Sequence, residues 1–202
     1  REIKPTHLLH LAWLTTPGVF QNSPENLRWV EASLSLARAF TESGGRRFVG
    51  VGTCFETLSE PFDSFYGFCK HETRVLLEKY FKQTGIKFAW GRIFYLYGPH
   101  ERPESLVPQV VRGLLRGEPV ACTHGNQIYD YAYITDCADE LVELVDSKVS
   151  GVVDVASGQP IQLREFILAF AQALERPDLI QFGARPERPG EPQMLTSAAG
   201  VR

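Results

Sequence analysis

The sequence predicts an α/β fold in which a parallel sheet with crossover helices is followed by a smaller α+β lobe. Three apolar runs, at residues 6–12, 47–53 and 87–94, alternate with two segments that show helical periodicity. Strands and helices that alternate at this rhythm are typical of a parallel sheet, because each helix carries the chain back to begin the next strand. Beyond residues 97–99 short helices alternate with brief strands, which indicates the second lobe.

Signals at the helix ends place two long helices in the first half of the chain. The first is expected at about 24–41, with Ser23 as its cap and Pro24 in its first position. The second is expected at about 64–83 and is closed by Gly85, which suits a left-handed helix end. Both helices follow apolar runs, so they are expected to cross over the sheet.

The change of texture near residue 95 is expected to mark a domain boundary. Residues 1–95 would carry the sheet, and residues 96–202 would form mainly the second lobe, with 128–156 partly returning to the sheet. The elements expected in this half are short, which favours an α+β lobe. They are helices near 105–116, 136–147 and 162–174, and strands near 119–123, 128–134 and 151–156.

Composition and charge exclude several classes of protein. The 202 residues are 44% hydrophobic and 22% charged, which is enough to form a core. The net charge of −3 gives no sign of a nucleic-acid partner, and the apolar runs are too short to span a membrane. No C-x-x-C pair occurs among the four cysteines, so neither a metal site nor a disulfide framework is expected. The cytoplasm is the expected location.

Tyr66 and Lys70 form the motif with the clearest chemical meaning. Because they stand four residues apart on a predicted helix, the phenol and the ammonium project from the same face. A free tyrosine titrates near ~10, so proton transfer near neutral pH requires a pKa lower by roughly three units, or about 4 kcal/mol. A neighbouring lysine cation can supply part of this stabilisation. With seven tyrosines in the chain, one such pair by chance is the alternative.

The strand before this helix ends at Thr53. A hydroxyl at the end of a strand can donate to a carbonyl oxygen of a substrate and hold it against the phenol of Tyr66. The alternative is a structural role, in which a β-branched residue satisfies the strand end. Gly50 and Gly52 in the same strand imply that another group approaches the backbone closely.

Short motifs along nearly the whole chain follow one another in a known order. They are THLLHLA at 6–12, SFYGFCK at 64–70, GRIFYLYGP at 91–99, LVP at 106–108, DYAYITD at 130–136, GVVDVASG at 151–158 and RPGE at 188–191. With these motifs the chain resembles the extended short-chain dehydrogenase/reductase family, in its NAD-dependent epimerase/dehydratase branch. The resemblance implies a partial Rossmann-type fold, in which residues 1–95 would be the C-terminal part of the NAD(P)-binding domain.

For the active site, the resemblance implies a nicotinamide cofactor, NAD or NADP, and a nucleotide-activated sugar as the substrate. Tyr66 would be the acid–base, Lys70 would bind the nicotinamide ribose and lower the pKa of Tyr66, and Thr53 would orient the reacting oxygen. The implied activity is that of a 4-ketoreductase or epimerase. Cofactor contacts are expected from Tyr66 and Lys70 and from the strand-end residues Leu11, Ala12 and Trp13.

The same resemblance implies substrate contacts in the second lobe and an interface on the long helices. Arg188 is a candidate for binding the substrate phosphates, with a solvated loop arginine as the alternative. Family members commonly dimerise through the helices at 24–41 and 64–83, so a homodimer is expected. The substrate contacts are expected from Tyr95, Leu106, Val107, Tyr129 and Arg188.

Several departures from the family pattern bear on cofactor and phosphate binding. The glycine-rich turn G-x-x-G-x-x-G, whose amides would hold the cofactor pyrophosphate, does not occur in these 202 residues. The strands correspond to the fourth, fifth and sixth of the family's sheet, so the first three are expected to be missing from a chain that begins at Arg1. Tyr95 replaces the usual asparagine and Tyr129 a phosphate-binding arginine, and a phenol brings no charge. The segment between Thr53 and Tyr66 is also shorter than in the family.

Glu56 bears on the choice between two reaction types. If it is aligned with the catalytic glutamate of the dehydratases, Cys54 falls on the position of the hydroxyl, and the dehydratase triad is incomplete. A ketoreductase or epimerase is therefore favoured. Of two acidic residues further along the chain, Asp136 is expected to cap a helix, and Asp130 could pair with an arginine for structural reasons.

Two other functions stay open. The chain can be a non-catalytic remnant that binds a nucleotide sugar or a partner, or a structural fragment that folds only against a missing half. In the second case the sheet would end in an open strand whose backbone groups lack partners, and an apolar patch would be exposed.

Overall fold

Strands and helices alternate through residues 3–58 and 64–198, which are the residues that the computed structural model describes. The strands are β1 (His7–His10), β2 (Arg47–Thr53), β3 (Lys87–Ile93), β4 (Tyr95–Tyr97), β5 (Val120–Cys122), β6 (Ile128–Tyr129), β7 (Tyr131–Tyr133), β8 (Gly151–Val155), β9 (Ile161–Gln162), β10 (Ile180–Phe182) and β11 (Met194–Leu195). The helices are α1 (Glu25–Glu42), α2 (Phe65–Thr84), α3 (Leu106–Arg116), α4 (Ile134–Asp146) and α5 (Leu163–Ala173). Short 3-10 helices lie at Phe20–Asn22, Cys54–Thr57 and Pro177–Leu179. Within these ranges no helix is both long and apolar enough to cross a membrane.

By its internal contacts the chain divides into two units. The first contains the described residues of Arg1–Ile93 together with Cys137–Val155. The second contains the described residues of Phe94–Asp136 and Ala156–Arg202. Each unit is thus made of two separate stretches of chain, and each has its own hydrophobic core.

A four-stranded parallel sheet forms the centre of the first unit. Its order is β1-β2-β3-β8, and every neighbouring pair is parallel. β2 lies inside the sheet, and all seven of its residues are buried. Because α1 connects β1 to β2 and α2 connects β2 to β3, the predicted parallel sheet with crossover helices is confirmed.

The observed bounds differ from the predicted ones by a few residues. The strand at 47–53 is confirmed as predicted, whereas the first predicted strand is limited to His7–His10. α1 begins at Glu25, so Pro24 rather than Ser23 is the cap residue, and the prediction of Ser23 is wrong by one position. The ring of Pro24 fixes its φ near the helical value. The Ser23 hydroxyl still accepts a hydrogen bond from the Glu25 amide (3.3 Å).

Hydrophobic side chains cover both faces of this sheet. On one face the packed residues come from α1, α2, β2 and β3, and they are Ala37, Phe40, Phe48, Leu77, Phe81, Phe88 and Trp90. On the other face Val49 and Ala89 pack with Leu144 of α4. Helices on both faces explain why β2 is buried along its whole length instead of alternating between buried and exposed residues.

The first residue of β2 ties the sheet to the end of α4. Arg47 is buried, and its guanidinium donates hydrogen bonds to the carbonyl oxygens of Leu144 and Val149. Carbonyl groups at the C-terminal end of a helix carry partial negative charge, so a cation placed there is stabilised. The contact therefore fixes α4 on the sheet although the helix follows β2 by a long stretch of sequence.

Gly50 and Gly52 make room for the side chain of Trp90 on the neighbouring strand. A Cβ atom at Gly50 would lie 2.4 Å from the indole ring, and one at Gly52 would lie 2.1 Å from Nε1 of Trp90. The predicted close approach to these glycines is confirmed, and the approaching group is a buried side chain. Any larger residue at either position would have to displace the tryptophan.

Short strand pairs and two packed helices form the second unit. β4 pairs with β7, β5 pairs with β10, and β6 pairs with both β9 and β11. The predicted α+β character of this half is confirmed. The core contains side chains of α3 and α5, and its buried residues are Val110, Leu114, Cys122, Leu163, Ile167 and Ala171.

Asp130 connects three segments of the second unit. It is fully buried, and its carboxylate accepts hydrogen bonds from the amides of Ser157 and Gly158 and from the hydroxyls of Ser157 and Ser197. The predicted arginine partner is therefore wrong, because uncharged donors take up both carboxylate oxygens. The predicted cap at Asp136 is wrong as well, since α4 begins at Ile134 and Asp136 lies inside its first turn.

The outer edge of β1 leads to an expectation for the 202-residue chain on its own. Among the described residues β1 forms a ladder only with β2, so its other edge presents amides and carbonyls without strand partners. We expect the isolated chain to self-associate or to be of marginal stability. Analytical ultracentrifugation and thermal melts at several concentrations measure this, and a sharp, concentration-independent transition of a monomer would contradict it.

Candidate active site at the end of strand β2

The three residues predicted to be catalytic are brought together at the C-terminal end of β2. Thr53 is the last residue of the strand, and Tyr66 and Lys70 lie in the first two turns of α2. All three are buried, with 7%, 8% and 4% of their surface exposed, respectively. The Thr53 side chain is near enough to Tyr66 to act on its pKa. Lys70 Nζ donates to the carbonyl oxygen of Val51, two residues before Thr53 (2.7 Å).

A cap and a glycine fix the start of α2. The Ser64 hydroxyl accepts a hydrogen bond from the Gly67 amide (3.0 Å), which satisfies one of the amides that a helix start leaves unpaired. A Cβ atom at Gly67 would lie 3.2 Å from Cβ of Phe55, so glycine lets the helix approach the turn that follows β2. Residues 59–63 of the connecting segment lie outside the described residues. Contacts on either side of that segment therefore place the tyrosine.

Aromatic rings surround the phenol of Tyr66. The ring of Phe20 lies 4.9 Å from it at 89°, and the ring of Trp13 lies 6.4 Å from it at 72°, both edge to face. Burial raises the pKa of Tyr66, and the neighbouring Thr53 side chain acts in the opposite direction. The sequence led to the expectation of a lowered pKa. In the structure burial outweighs the effect of Thr53, so the phenol is held in its protonated form.

Lys70 is a buried amine whose charge is balanced by several groups. Its Nζ lies 4.2 Å from the centroid of the Trp13 ring and 5.8 Å from that of Trp90, within the range of cation–π attraction. Burial lowers the pKa of Lys70 to about 7, while the charge of Glu56 acts to raise it. Near neutral pH the side chain is therefore close to the midpoint between its two protonation states.

A buried asparagine fixes Trp13, which belongs to the predicted cofactor segment. Trp13 Nε1 donates to Oδ1 of Asn26 (2.8 Å), and the Asn26 amide nitrogen donates to the carbonyl oxygens of Phe20 (2.6 Å) and Ser23 (3.0 Å). No motif in the sequence pointed to Asn26. The signal that could have revealed it is its position one helical turn before Val30, on the apolar face of α1.

Glu56 is the second buried residue whose partners the sequence did not reveal. Its side chain is 1% exposed, and Oε1 accepts a hydrogen bond from the Thr53 amide (2.8 Å). Both carboxylate oxygens lie 3.1 Å from Nε1 of Trp90, and Oε2 lies 3.5 Å from Nε of Arg74 on α2. A glutamate three residues after a strand-end threonine is the sequence signature of a capping box, which is what this turn forms.

The predicted cofactor segment lies at the same edge of the sheet. Leu11 and Ala12 follow β1 and are exposed. Since the carboxyl ends of parallel strands lie on one edge, these residues and Thr53 share that edge. The Lys70 ammonium has three N–H donors, of which Val51 uses one, so it fits a ligand with hydroxyl acceptors such as a ribose. In the described part of the chain no cluster of three side chains could hold a metal ion.

The predicted substrate-binding residues all lie in the second unit. Tyr95 of β4 stacks on Tyr129 of β6, with ring centroids 4.5 Å apart. Tyr129 is buried, and its hydroxyl donates to the carbonyl oxygen of Pro192 (2.7 Å). Substrate binding at these positions stays a prediction. Of the others, Leu106 and Arg188 are exposed and Val107 is half-buried.

Fold and site together define the class of protein. A parallel α/β sheet with a buried Tyr-x-x-x-Lys pair on the helix after a strand-end threonine is the arrangement expected of an extended short-chain dehydrogenase/reductase. The model of the NAD dependent epimerase/dehydratase family matches residues 1–156. The chain belongs to this family.

Relatives of named activity share about a quarter of their aligned residues with this chain. The dTDP-6-deoxy-L-talose 4-dehydrogenase (NAD(+)) of Aggregatibacter actinomycetemcomitans is 25% identical over 175 residues, which cover 81% of this chain and 64% of the relative. The probable UDP-glucuronate 4-epimerase of Rhizobium meliloti is 22% identical over 165 residues, which cover 69% of this chain and 48% of the relative. The chain therefore spans less than two thirds of the length of these relatives.

Solved structures of sugar-nucleotide epimerases have the same fold. UDP-N-acetylglucosamine 4-epimerase from Methanobrevibacter ruminantium, in complex with UDP-N-acetylmuramic acid, superposes with a TM-score of 0.80 at 23% identity, over 94% of this chain and 66% of that one. UDP-glucose 4-epimerase from Thermus thermophilus, in complex with NAD, superposes with a TM-score of 0.77 at 24% identity, over 96% of this chain and 70% of that one. These similarities confirm the Rossmann-type fold.

The lowered pKa of Lys70 determines how the stability of the folded chain depends on pH. The pKa is 10.5 in the unfolded chain and about 7 in the folded one. Between these values the unfolded state binds more protons, so folding stability rises with pH, by up to about 1.4 kcal/mol per pH unit for one group. We expect the wild-type Tm to rise between about pH 7 and about pH 9 relative to that of Lys70→Met, which lacks the titrating amine.

Thermal melts across this pH range measure the effect. Lys87→Met, which removes an exposed lysine at the start of β3, is the matched control and should retain the wild-type profile. Parallel Tm curves for the wild type and Lys70→Met would show that Lys70 does not change its protonation on folding.

Proposed function

We propose that this chain is the catalytic-helix and substrate-side part of an NAD(P)-dependent nucleotide-sugar oxidoreductase of the 4-ketoreductase or epimerase type. The observation that supports this most directly is that Thr53, Tyr66 and Lys70, all buried, meet at the C-terminal end of β2. A phenol beside a strand-end hydroxyl can exchange a proton with the oxygen of a sugar hydroxyl or ketone. Relatives named for action on dTDP- and UDP-sugars support the same substrate class.

In this proposal each residue of the site acts on one atom. Tyr66 donates its proton to the oxygen of a ketone that is being reduced, or removes the proton of a hydroxyl that is being oxidised, and Thr53 holds that oxygen by a hydrogen bond. Bound NAD or NADP supplies the hydride donor or acceptor and, when oxidised, a positive charge. Lys70 would hold the ribose, with Trp13 and Ala12 beside it. Since burial raises the pKa of Tyr66, the cation of Lys70 is needed to stabilise the phenolate.

Two contacts support a ketoreductase or epimerase over a dehydratase. Cys54 is buried, and its pKa is raised to about 12, so its thiol is a poor acid–base near neutral pH. The Glu56 carboxylate already accepts hydrogen bonds from the Thr53 amide and the Trp90 indole. Neither residue is therefore disposed to remove a proton from a sugar carbon.

The phosphates of the cofactor would be bound by residues other than those of this chain. Its 202 residues contain no glycine-rich turn of the family type. For the substrate phosphates, the hydroxyl of Tyr129 is directed to a backbone carbonyl of its own unit, whereas Arg188 is exposed and cationic. Arg188 is therefore the stronger candidate of the two.

A non-catalytic nucleotide-sugar-binding protein is the second candidate. The raised pKa of Tyr66 and the lowered pKa of Lys70 favour it, because near neutral pH the phenol stays protonated and the lysine is only partly charged. The two candidates differ in whether a bound cofactor restores the acid–base function, which a turnover assay decides.

Exposed apolar residues on the two long helices support a homodimer. α1 carries exposed Leu27 and Leu36, and α2 carries exposed Phe65, Phe68 and Leu76. The three residues of α2 recur at helical spacing and form one stripe. In the proposed dimer these faces of α1 and α2 pack against their copies in the other subunit, and the cytoplasm is the proposed location.

Nicotinamide binding tests which part of the protein holds the cofactor. We expect the 202-residue chain to show no saturable change in NADH fluorescence, because it lacks the turn that would bind the pyrophosphate. A version that starts at the initiation codon of the gene should bind NADH saturably. Saturable binding by the 202-residue chain would show that the phosphates are held by residues within it.

Removal of the Tyr66 hydroxyl tests the proposed chemistry. In the gene product that carries this chain, Tyr66→Phe should lower kcat by about 10²-fold or more, since proton transfer by a positioned side chain contributes at least that much. Binding of NADH should stay nearly unchanged. Tyr80→Phe, on the same helix, is the control and should keep wild-type turnover. If Tyr66→Phe turns over at the wild-type rate, Tyr66 has a structural role.

A further inference from the structure

A buried carboxylate lies next to the proposed acid–base pair and takes no part in the proton transfer proposed above. Glu56 belongs to the 3-10 turn Cys54–Thr57 that follows β2, and its side chain is 1% exposed. A carboxylate at this depth is costly unless hydrogen bonds and a cation compensate for its lost hydration. The groups that compensate for this cost therefore indicate the role of Glu56.

Three different elements supply those partners. The Thr53 amide at the end of β2 donates to Oε1 (2.8 Å), and the Trp90 indole of β3 lies 3.1 Å from both oxygens. The Arg74 guanidinium of α2 lies 3.5 Å from Oε2. One side chain thus joins the strand that ends in the catalytic hydroxyl, the neighbouring strand and the helix that carries the catalytic phenol.

Arg74 lies on the same face of α2 as the two proposed catalytic residues of that helix. Tyr66, Lys70 and Arg74 follow one another at intervals of four residues, so they occupy one face of the helix. An ion pair between Glu56 and Arg74 therefore sets how this face lies against the end of β2. Tyr66 lies on this face, in the first turn of α2, and Thr53 is the last residue of β2.

Gly52 leaves room for the carboxylate of Glu56 and the indole of Trp90. A Cβ atom at Gly52 would lie 2.2 Å from Oε1 of Glu56 and 2.1 Å from Nε1 of Trp90. The glycine one residue before the catalytic threonine is therefore required by the carboxylate and the indole. Thr53 also caps the turn, because its hydroxyl accepts a hydrogen bond from the Phe55 amide (3.4 Å).

We infer that Glu56 is a positioning residue for the proposed reaction, which aligns the Thr53 hydroxyl with the tyrosine helix through Arg74. The inference rests on the proposed function of Thr53, Tyr66 and Lys70. Glu56 transfers no proton in this role, because its oxygens accept hydrogen bonds from the Thr53 amide and the Trp90 indole.

The charge of Glu56 also acts on the lysine, which provides a readout of the site that does not depend on turnover. The groups around the Lys70 amine are the Val51 carbonyl, the rings of Trp13 and Trp90, the charge of Glu56, and the His10 imidazole, whose own pKa Lys70 lowers. Of the titratable groups among them, Glu56 is the one whose charge raises the pKa of Lys70. Loss of its charge must therefore lower that pKa further.

The test is Glu56→Gln in the gene product that carries this chain. Glutamine keeps the shape and the acceptor for the Thr53 amide but loses the charge and the pairing with Arg74. We expect kcat to fall about tenfold or more with little change in KM, because small misplacements of reacting groups are costly. We also expect the NMR titration of isotope-labelled Lys70 to move to lower pH. Glu78→Gln removes the exposed partner of Arg74 and is the matched control, with both readouts unchanged.

Each outcome decides the inference. A folded Glu56→Gln protein with the wild-type kcat and the wild-type titration of Lys70 would overturn it. If Glu56→Gln does not fold, Arg74→Gln breaks the same pair from a partly exposed position, and a wild-type kcat for Arg74→Gln would overturn the inference. If the wild type has no turnover on any nucleotide sugar, the proposed function fails, and the Lys70 titration still shows whether Glu56 acts on the site.

Discussion

The complete burial of β2 is the constraint on which the rest of the first unit depends. Every polar group of a strand with no exposed residue must find its partner inside the protein. At its start the two terminal nitrogens of Arg47 donate to carbonyls around the end of α4, and at its end the Thr53 amide donates to Glu56. The Val51 carbonyl, two residues before that end, accepts a hydrogen bond from the ammonium of Lys70. The same requirement thus places one helix on the sheet and assembles the candidate active site.

Burial also determines the electrostatics of that site. Removal from water favours the neutral forms of both Tyr66 and Lys70, and the structure shows the pKa of the first raised and of the second lowered. The tyrosine–lysine pair is therefore held close to neutrality in charge, and a cation from a ligand would favour the phenolate of Tyr66. In the proposed function, binding of an oxidised nicotinamide would therefore help to activate the phenol.

Much of this was predictable from the sequence because it is encoded locally. Periodicity and helix-end signals located the strands and helices, and the four-residue spacing of Tyr66 and Lys70 put both on the helix face that meets Thr53. The roles that could not be read from the sequence depend on residues far apart in it. Asn26 matters because Trp13 turns toward it, Glu56 because Trp90 and Arg74 reach it, and Asp130 because Ser157 and Ser197 surround it. A local pattern can suggest a cap or an ion pair, but the partner is chosen by the tertiary fold.

The interrupted connectivity of the first unit has a consequence for its biosynthesis. β8 and most of α4 leave the ribosome only after Phe94–Asp136, a stretch that belongs to the other unit. Until then Val49 and Ala89 present an uncovered apolar surface, and Arg47 lacks a carbonyl partner that stands 102 positions later in the chain. Closure of the sheet is thus a late, long-range event during translation, and the nascent chain is open to aggregation or chaperone binding in the interval.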